Sequence, residues 1–387
     1  MYGLKVSTFL VPTKVYLGVS SHKELNEAIA DWGVKRILFL CDPGVATTEV
    51  FNMVEDILGE ERVTFEVFTD IEPDPSDTTV EKAYDMYQHI QASALVALGG
   101  GSTIDVGKAV GILATNGGRI HDYEGIDKVA TPPLPLIAIP TTAGTGSEVS
   151  GSCVITDTER GLKMSIRSVD LVPAKVALLD PVVLRFLPAT VAAHSAMDAF
   201  VHAFESYISL DASPITDAVN LHAIELIAQN VRPFVSNRSN LDAGLKMLCA
   251  ASLAGMSFSR TGLGNVHCMA RFVGALLHIS HGLSNAICLP HAAEFNLMAN
   301  PEKYRRVAMA MGENTNGLTT LEAARKAIEA IKQLCQDLNI PQKLSDIGCT
   351  EDKIPEMAEL AFAANYNRWN PRHTTYEDFF ALFKRAL

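Results

Sequence analysis

The chain of 387 residues contains no Cys-x2-Cys pair, and its seven cysteines are scattered from Cys41 to Cys349. That excludes a disulfide-stapled secreted scaffold and the common structural zinc motifs, and it reads as separate buried thiols in a reducing compartment. Positive charge is also scarce: 32 Lys and Arg against 44 Asp and Glu leave a net charge of −12 and a pI near 5.4. Without clustered Lys and Arg there is no phosphate-binding face, so neither nucleic acid nor an anionic membrane is expected as a partner. Uninterrupted apolar runs are missing as well. The stretch that comes nearest, Val129 to Ser147, holds Pro132, Pro133, Pro135 and Pro140 and passes into a Thr/Gly loop, a pattern incompatible with a spanning helix. Met1 to Pro12 shows no basic segment leading into an apolar one, so no secretory signal is expected and a cytoplasmic location is.

A hydrophobic content of 48% over this length is enough for a large core and two domains. From the start to about Asp180, short apolar runs alternate with helical patterns. Arg36 to Cys41, Val63 to Phe68, Ala94 to Leu98, Leu136 to Ile139 and Val176 to Leu179 read as strands, and Val80 to Gln91 as a helix between two of them. This order predicts a Rossmann-like α/β domain with a mainly parallel sheet over residues 1–185. Past Pro181 and Pro188 only helical patterns continue, which predicts an all-α domain over 186–387. Within it, Ser213-Pro214 reads as a helix start, Leu321 to Leu338 as an apolar helical stripe, and Thr374 or Thr375 as the cap of a final helix, Tyr376 to Ala386. No internal repeat or low-complexity linker interrupts either half.

The third strand runs into Gly99-Gly100-Gly101-Ser102-Thr103-Ile104-Asp105-Val106-Gly107-Lys108, with a helix expected from Ser102 or Thr103. Bare glycine backbone before a helix N-terminus suits an anion, and a plain tight turn is the alternative. A second such loop, Thr141 to Glu148, follows the Leu136 strand, and two loops at strand ends suit a pyrophosphate. Asp42 ends the Arg36 strand, where a carboxylate can accept ribose hydroxyls and repel a 2′-phosphate, favouring NAD over NADP. Asp42-Pro43-Gly44 also has the composition of a turn.

In the second half, Asp198 and His202 lie four residues apart in a helical pattern and therefore share a face. His267 and His281 follow. Isolated Asp-x3-His pairs are common on surfaces, but here Ala196, Met197, Ala199, Phe200 and Val201 surround the first pair and Val266, Cys268, Met269 and Ala270 surround His267. Polar groups in such runs need partners, and one divalent metal would supply a partner for all four.

With phosphate loops in one half and Asp/His ligands in the other, the chain resembles the iron-dependent, or group III, alcohol dehydrogenase family over essentially its full length. The resemblance rests on Gly-Gly-Gly-Ser-x2-Asp-x2-Lys (99–108), Thr-Thr-x-Gly-Thr-x-Ser-Glu (141–148), Met-Asp-Ala-x2-His-Ala-x-Glu (197–205), and His267 through His281-Gly282, with Leu289-Pro290-His291 and Asn370-Pro371-Arg372 in support. It implies Asp198, His202, His267 and His281 as ligands of Fe(II) or Zn(II). It places NAD(H) against Asp42, Gly99, Gly100, Gly101, Ser102, Thr103, Asp105, Thr141, Thr142 and Lys163. Interconversion of small aldehydes and primary alcohols, in a homodimer or larger homo-oligomer, is the implied activity.

One departure bears on the substrate. Four residues after His267 the family usually carries another His, credited with proton relay, and here Arg271 stands there. Arginine stays protonated at any working pH and cannot shuttle a proton, so His278, water or the cofactor ribose is left for that part. Arg260 stands in place of a small amide residue. A guanidinium beside a metal suits an anionic aldehyde such as sulfoacetaldehyde, reduced to isethionate, whereas pairing of Arg271 with a carboxylate or the cofactor leaves an ordinary short-chain or 1,3-propanediol-type dehydrogenase. A dehydroquinate-synthase-like lyase and a non-catalytic binding protein on the same fold are the rivals from other classes.

Overall fold

The computed structural model describes residues 6–387, with Asn365 described by its backbone only. The start of the segment read above as lacking a leader pattern, residues 1–5, lies outside the described residues. Two compact units emerge, one of Leu10–Leu187 with Arg238–Ser252, the other of Pro188–Asn237 and Leu253–Leu387 together with residues 6–9.

The first unit is built on strands β1 (Lys14–Leu17), β2 (Arg36–Cys41), β3 (Thr64–Phe68), β4 (Ala94–Gly99), β5 (Gly125–Ile126), β6 (Leu136–Pro140), β7 (Ser152–Asp157), β8 (Leu162–Arg167) and β9 (Val176–Leu179). It also holds helices α1 (Leu25–Trp32), α2 (Glu49–Glu60), α3 (Asp77–Ile90) and α4 (Gly101–Asn116). The main sheet is parallel throughout, in the order β1-β9-β6-β4-β2-β3. Its central strands are buried along their length because helices cover both faces. Alternate residues point to opposite sides: Ile37, Phe39, Val96 and Leu98 pack with Leu25, Val50 and Val54 of α1 and α2, and Leu38, Leu40, Leu95 and Ala97 pack with Ala83, Ile104 and Val110 of α3 and α4. After β2 the chain pairs β3 on one side and then β4 on the other, so the order reverses between β2 and β4. Open α/β sheets bind ligands at such a point, beyond the carboxyl ends of the strands.

Two features differ from the sequence reading. Strand β1 is a short edge strand, half-exposed and without a continuous apolar run. The β7–β8 hairpin, with β5 beside it, forms a second sheet whose alternation buries Cys153, Ile155, Met164 and Ile166 against Val80, Ile112 and Ile120. Helix α4 also begins one residue earlier than expected, at Gly101, with Gly100 as its N-cap.

The second unit is helical: α5 (Ala189–Ile208), α6 (Pro214–Ser236), the end of α7 (Leu241–Thr261), α8 (Asn265–Leu277), α9 (His281–Asn296), α10 (Pro301–Ala310), α11 (Thr320–Asp337), α12 (Ile354–Ala363) and α13 (Tyr376–Ala386). From Ala196 to Ile208, α5 is buried on every side, as expected of a helix apolar all round. Helix α7 is long and apolar enough to cross a membrane by length and composition, yet Met247, Leu248, Ala250 and Ala254 on it are buried within the protein. Reciprocal caps at Ser213/Thr216, Thr319/Glu322 and Thr375/Asp378 start α6, α11 and α13. Each satisfies backbone donors that the first turn leaves open. Ser213→Ala is expected to cost about 1 kcal/mol, whereas Ser213→Asp keeps the acceptor and most of the stability; denaturant midpoints of the two variants check this.

Candidate metal centre and dinucleotide cradle

Helix α5 presents Asp198 and His202 one turn apart, both nearly fully buried. His267 comes from the first turn of α8 and His281 from the first residue of α9. A tight reversal makes this possible: His278 closes α8 in the left-handed conformation, φ 54°, and Ser280 opens α9. The residue after His281 must then be glycine, because a Cβ on Gly282 would lie 2.2 Å from the His194 carbonyl oxygen and 3.4 Å from Asp198 Cβ. His281-Gly282 is thus the sequence trace of α9 starting flush against α5.

The ligand atoms of Asp198, His267 and His281 all lie within 4.8 Å of one another. His202 adjoins them, with Nδ1 3.8 Å from Asp198 Oδ2 and its ring stacked on His267 at 4.9 Å between centroids. Burial opposes the charge on Asp198, but the imidazoles of His202, His281 and His267, with the Asn285 amide, outweigh it and hold the carboxyl below its ordinary range. The group therefore offers one anionic oxygen and several imidazole nitrogens, a donor set that fits a divalent transition ion.

Two supporting residues were not singled out from sequence. Glu205 is buried and accepts three donors at once: the backbone N–H of Gly264 at 3.0 Å, that of Val266 at 2.6 Å, and His267 Nδ1 at 2.6 Å. With Nδ1–H committed to Glu205, the lone pair of His267 sits on Nε2, facing Asp198 and His281. Asn285, on α9 four residues after His281, donates from Nδ2 to Asp198 Oδ1 at 2.7 Å. Both were legible as helical spacing, Glu205 seven residues beyond Asp198 and Asn285 four beyond His281, but nothing in composition says what such residues touch.

The remaining candidates spread outward. Arg271 lies one turn past His267 on α8, half-buried, its Cζ 5.9 Å from the Phe272 ring centre. Arg260 is half-buried in the last turn of α7. His278 is exposed at its C-cap, and among the described residues the ring contacts joining His202, His267 and His281 do not include it. Tyr366, which sequence reasoning missed, sets its ring edge-on to His267 at 6.3 Å.

In the α/β unit, Asp42, Gly99–Gly101 and Thr141–Thr142 follow β2, β4 and β6, at and beside the reversal point. Glycine is needed here for contact between loops: a Cβ on Gly99 would meet Thr103 Oγ1 at 2.3 Å and Asp42 Cβ at 3.0 Å, and one on Gly101 would meet Thr145 Cγ2 at 2.7 Å. No side chain caps α4, so its first-turn N–H groups, Ser102 and Thr103 among them, remain suited to an anion. Asp42 forms the turn, its Oδ1 accepting from Gly44 N at 2.8 Å and Val45 N at 3.2 Å, and Oδ2 takes no part in that cap.

Asp105 and Lys163 stand differently. Asp105 accepts from the Ser147 hydroxyl at Oδ1 (2.6 Å) and from Val154 N–H at Oδ2 (2.9 Å), and buried Lys108 donates to Ser147 Oγ, Ser150 O and Ser152 O. Both Asp105 oxygens are thereby committed to protein, so it braces the second loop against α4 from behind. Lys163 lies on β8 with Nζ 2.5 Å from Asp74 Oδ1.

Comparison with known proteins extends this geometry to the whole chain. The profile described as iron-containing alcohol dehydrogenase matches residues 12–181, and that of the Fe-containing alcohol dehydrogenase family, C-terminal, matches residues 192–387. A 1,3-propanediol dehydrogenase of Klebsiella pneumoniae is 41% identical over 98% of both chains. A sulfoacetaldehyde reductase of Bilophila wadsworthia is 34% identical over 96% of both. Among solved structures, a 1,3-propanediol oxidoreductase superposes with a TM-score of 0.96 at 40% identity, covering 99% of this chain and 100% of that one. The chain belongs to the iron-containing alcohol dehydrogenase family and is an NAD-dependent, metal-containing alcohol dehydrogenase or aldehyde reductase.

Proposed function

We propose that the protein interconverts a short aldehyde and its primary alcohol with NAD(H) at one divalent metal, Fe(II) by preference and Zn(II) as the alternative, held by Asp198, His202, His267 and His281. The convergence of ligand atoms from three helices within 4.8 Å carries this reading. When bound, the ion supplies Lewis acidity toward a carbonyl oxygen and the dinucleotide supplies the hydride. Asp198 contributes the anionic ligand, Glu205 keeps His267 in the ligating tautomer, and the apolar flanks of α5 and α8 exclude water. The loops after β4 and β6 hold the pyrophosphate, and Asp42 holds the adenosine ribose. All seven cysteines are free, in keeping with a cytoplasmic enzyme; a homodimer or larger assembly belongs to the same proposal.

The substrate we infer carries an acidic group. Arg271 places a permanent charge one turn from His267, and a guanidinium fork matches sulfonate or carboxylate oxygens; full-length similarity to a sulfoacetaldehyde reductase supports it. Similarity to a 1,3-propanediol dehydrogenase favours a second reading, a neutral short-chain substrate. A panel of aldehydes run with NADH separates the two. It also separates both from a lyase or a binding protein, neither of which consumes NADH steadily.

Three outcomes are expected. Asp198→Ala and His267→Ala lose bound metal together with turnover, and Glu205→Gln weakens metal binding by about 10–100-fold; stoichiometric metal in the alanine variants, by elemental analysis, would remove the ligand assignment. NADH is preferred over NADPH, and Asp42→Gly narrows the gap while leaving metal content unchanged; equal catalytic efficiency with both cofactors in the unmodified enzyme contradicts the role of Asp42. Arg271→His lowers the sulfoacetaldehyde-to-propanal ratio of kcat/KM by about 10–100-fold, the worth of a charged hydrogen bond. If that ratio stays put, the neutral-substrate reading stands.

A further inference from the structure

We propose that Asn285 is a positioning residue of the metal centre: its amide gathers the ligand atoms before an ion arrives and would hold the Asp198 carboxylate in place afterwards. This rests on the metal-centre reading above. Asn285 is completely buried on α9. Its Nδ2 lies 2.7 Å from Asp198 Oδ1, 3.3 Å from His267 Nε2 and 3.2 Å from His281 Nε2. One nitrogen bearing two hydrogens thus faces an atom from each of the three helices that supply ligands.

The direction of the amide follows from its surroundings. Turned over, it would press Oδ1 against the Asp198 carboxylate, oxygen on oxygen, so the NH2 end must face the ligands. His267 Nε2 is an acceptor because Nδ1–H is given to Glu205, and an N–H of Asn285 meets that lone pair. The amide's own carbonyl gains nothing from the arrangement: Oδ1 is buried with no hydrogen-bond partner among the described residues. The ligand atoms, rather than the amide's own hydrogen-bond balance, set its pose.

An ion changes which of these contacts can persist. Imidazole lone pairs turned to a cation would no longer accept N–H, whereas the bond from Asn285 to Asp198 Oδ1, the oxygen 3.9 Å from His281 Nε2, would remain to hold the carboxylate in place. Removing the amide would free Asp198 Oδ1 and loosen the imidazoles. Binding therefore weakens, and the surroundings of the ion change.

The test uses the full chain stripped of metal and titrated with Co(II), whose visible absorption reports the ligand field, followed by release to a chromogenic chelator. Asn285→Ala is expected to release Co(II) about tenfold faster and to shift the visible bands. Asn220→Ala is the matched control: Asn220 is buried in the same helical unit, donates to Ser206 Oγ at 2.7 Å, and also leaves its Oδ1 without a partner. It should lower the melting temperature without moving the release rate or the bands. Asn285→Ser, which retains one donor, should fall between the unmodified protein and alanine, and it carries the test if the alanine variant does not fold. Release and bands in Asn285→Ala equal to the unmodified protein would overturn the positioning role alone. Failure of the unmodified protein to bind Co(II) would overturn the metal centre itself, and the proposal with it.

Discussion

Glu205 carries a negative charge in a place water does not reach, and the energetic cost of that burial is met only if every donor around it stays in place. Two of those donors are backbone amides at the start of α8 and the third is His267. One carboxylate therefore sets where α8 begins, supplies negative charge at its positive end, and chooses the tautomer of a ligand. Space is as tight as charge: a Cβ on Gly264 would meet Glu205 Oε1 at 3.0 Å and Asn370 Oδ1 at 2.9 Å. From His267 the contacts pass through Asn285 to Asp198, so these side chains form one hydrogen-bonded body rather than standing separately.

The α/β unit solves a related problem by different means. Its loops after β4 and β6 are largely bare backbone, and bare backbone has no side chains to hold it. Lys108 and Asp105 perform that service from behind, the ammonium on the carbonyls of Ser150 and Ser152, the carboxylate on Ser147 and Val154. The glycines need to be small toward the neighbouring loop, and the charged residues of the same motif need to be buried beneath it. A motif read as a single contact list thus divides into a cradle and its support.

This division explains what the sequence disclosed and what it concealed. Parallel strands buried on both faces announce themselves as apolar runs, which is why β2, β4, β6 and β9 were legible and the half-exposed edge strand β1 was not. The β7–β8 hairpin does alternate, but Thr156 and Lys163 dilute it, and no composition rule says which alternating stretch will pair. The Asp198, His202 and His267 group was legible because these are polar residues inside apolar helices. Glu205 and Asn285 share that setting and helical spacing, yet their partners come from other helices, so their part is decided by tertiary packing. Asp105 shows the same limit: it was legible as part of a motif, but its hydrogen bonds to Ser147 and Val154 were decided by tertiary packing.

Burial also separates what this site can change from what it cannot. Asp198, Glu205, His267 and Asn285 are each nearly or wholly withdrawn from solvent, and altering any of them disturbs both packing and charge. His281, with a side chain 36% exposed, is the member of the group that opens outward, and half-buried Tyr366 lies against His267. Residues in that position can vary without leaving a cavity or an unpaired buried charge, whereas the buried group beneath them cannot. Full-length relatives with different substrates on one fold are the expected consequence. Exchanging Glu205, by contrast, removes the acceptor of three buried donors and disturbs the start of α8 and His267 together.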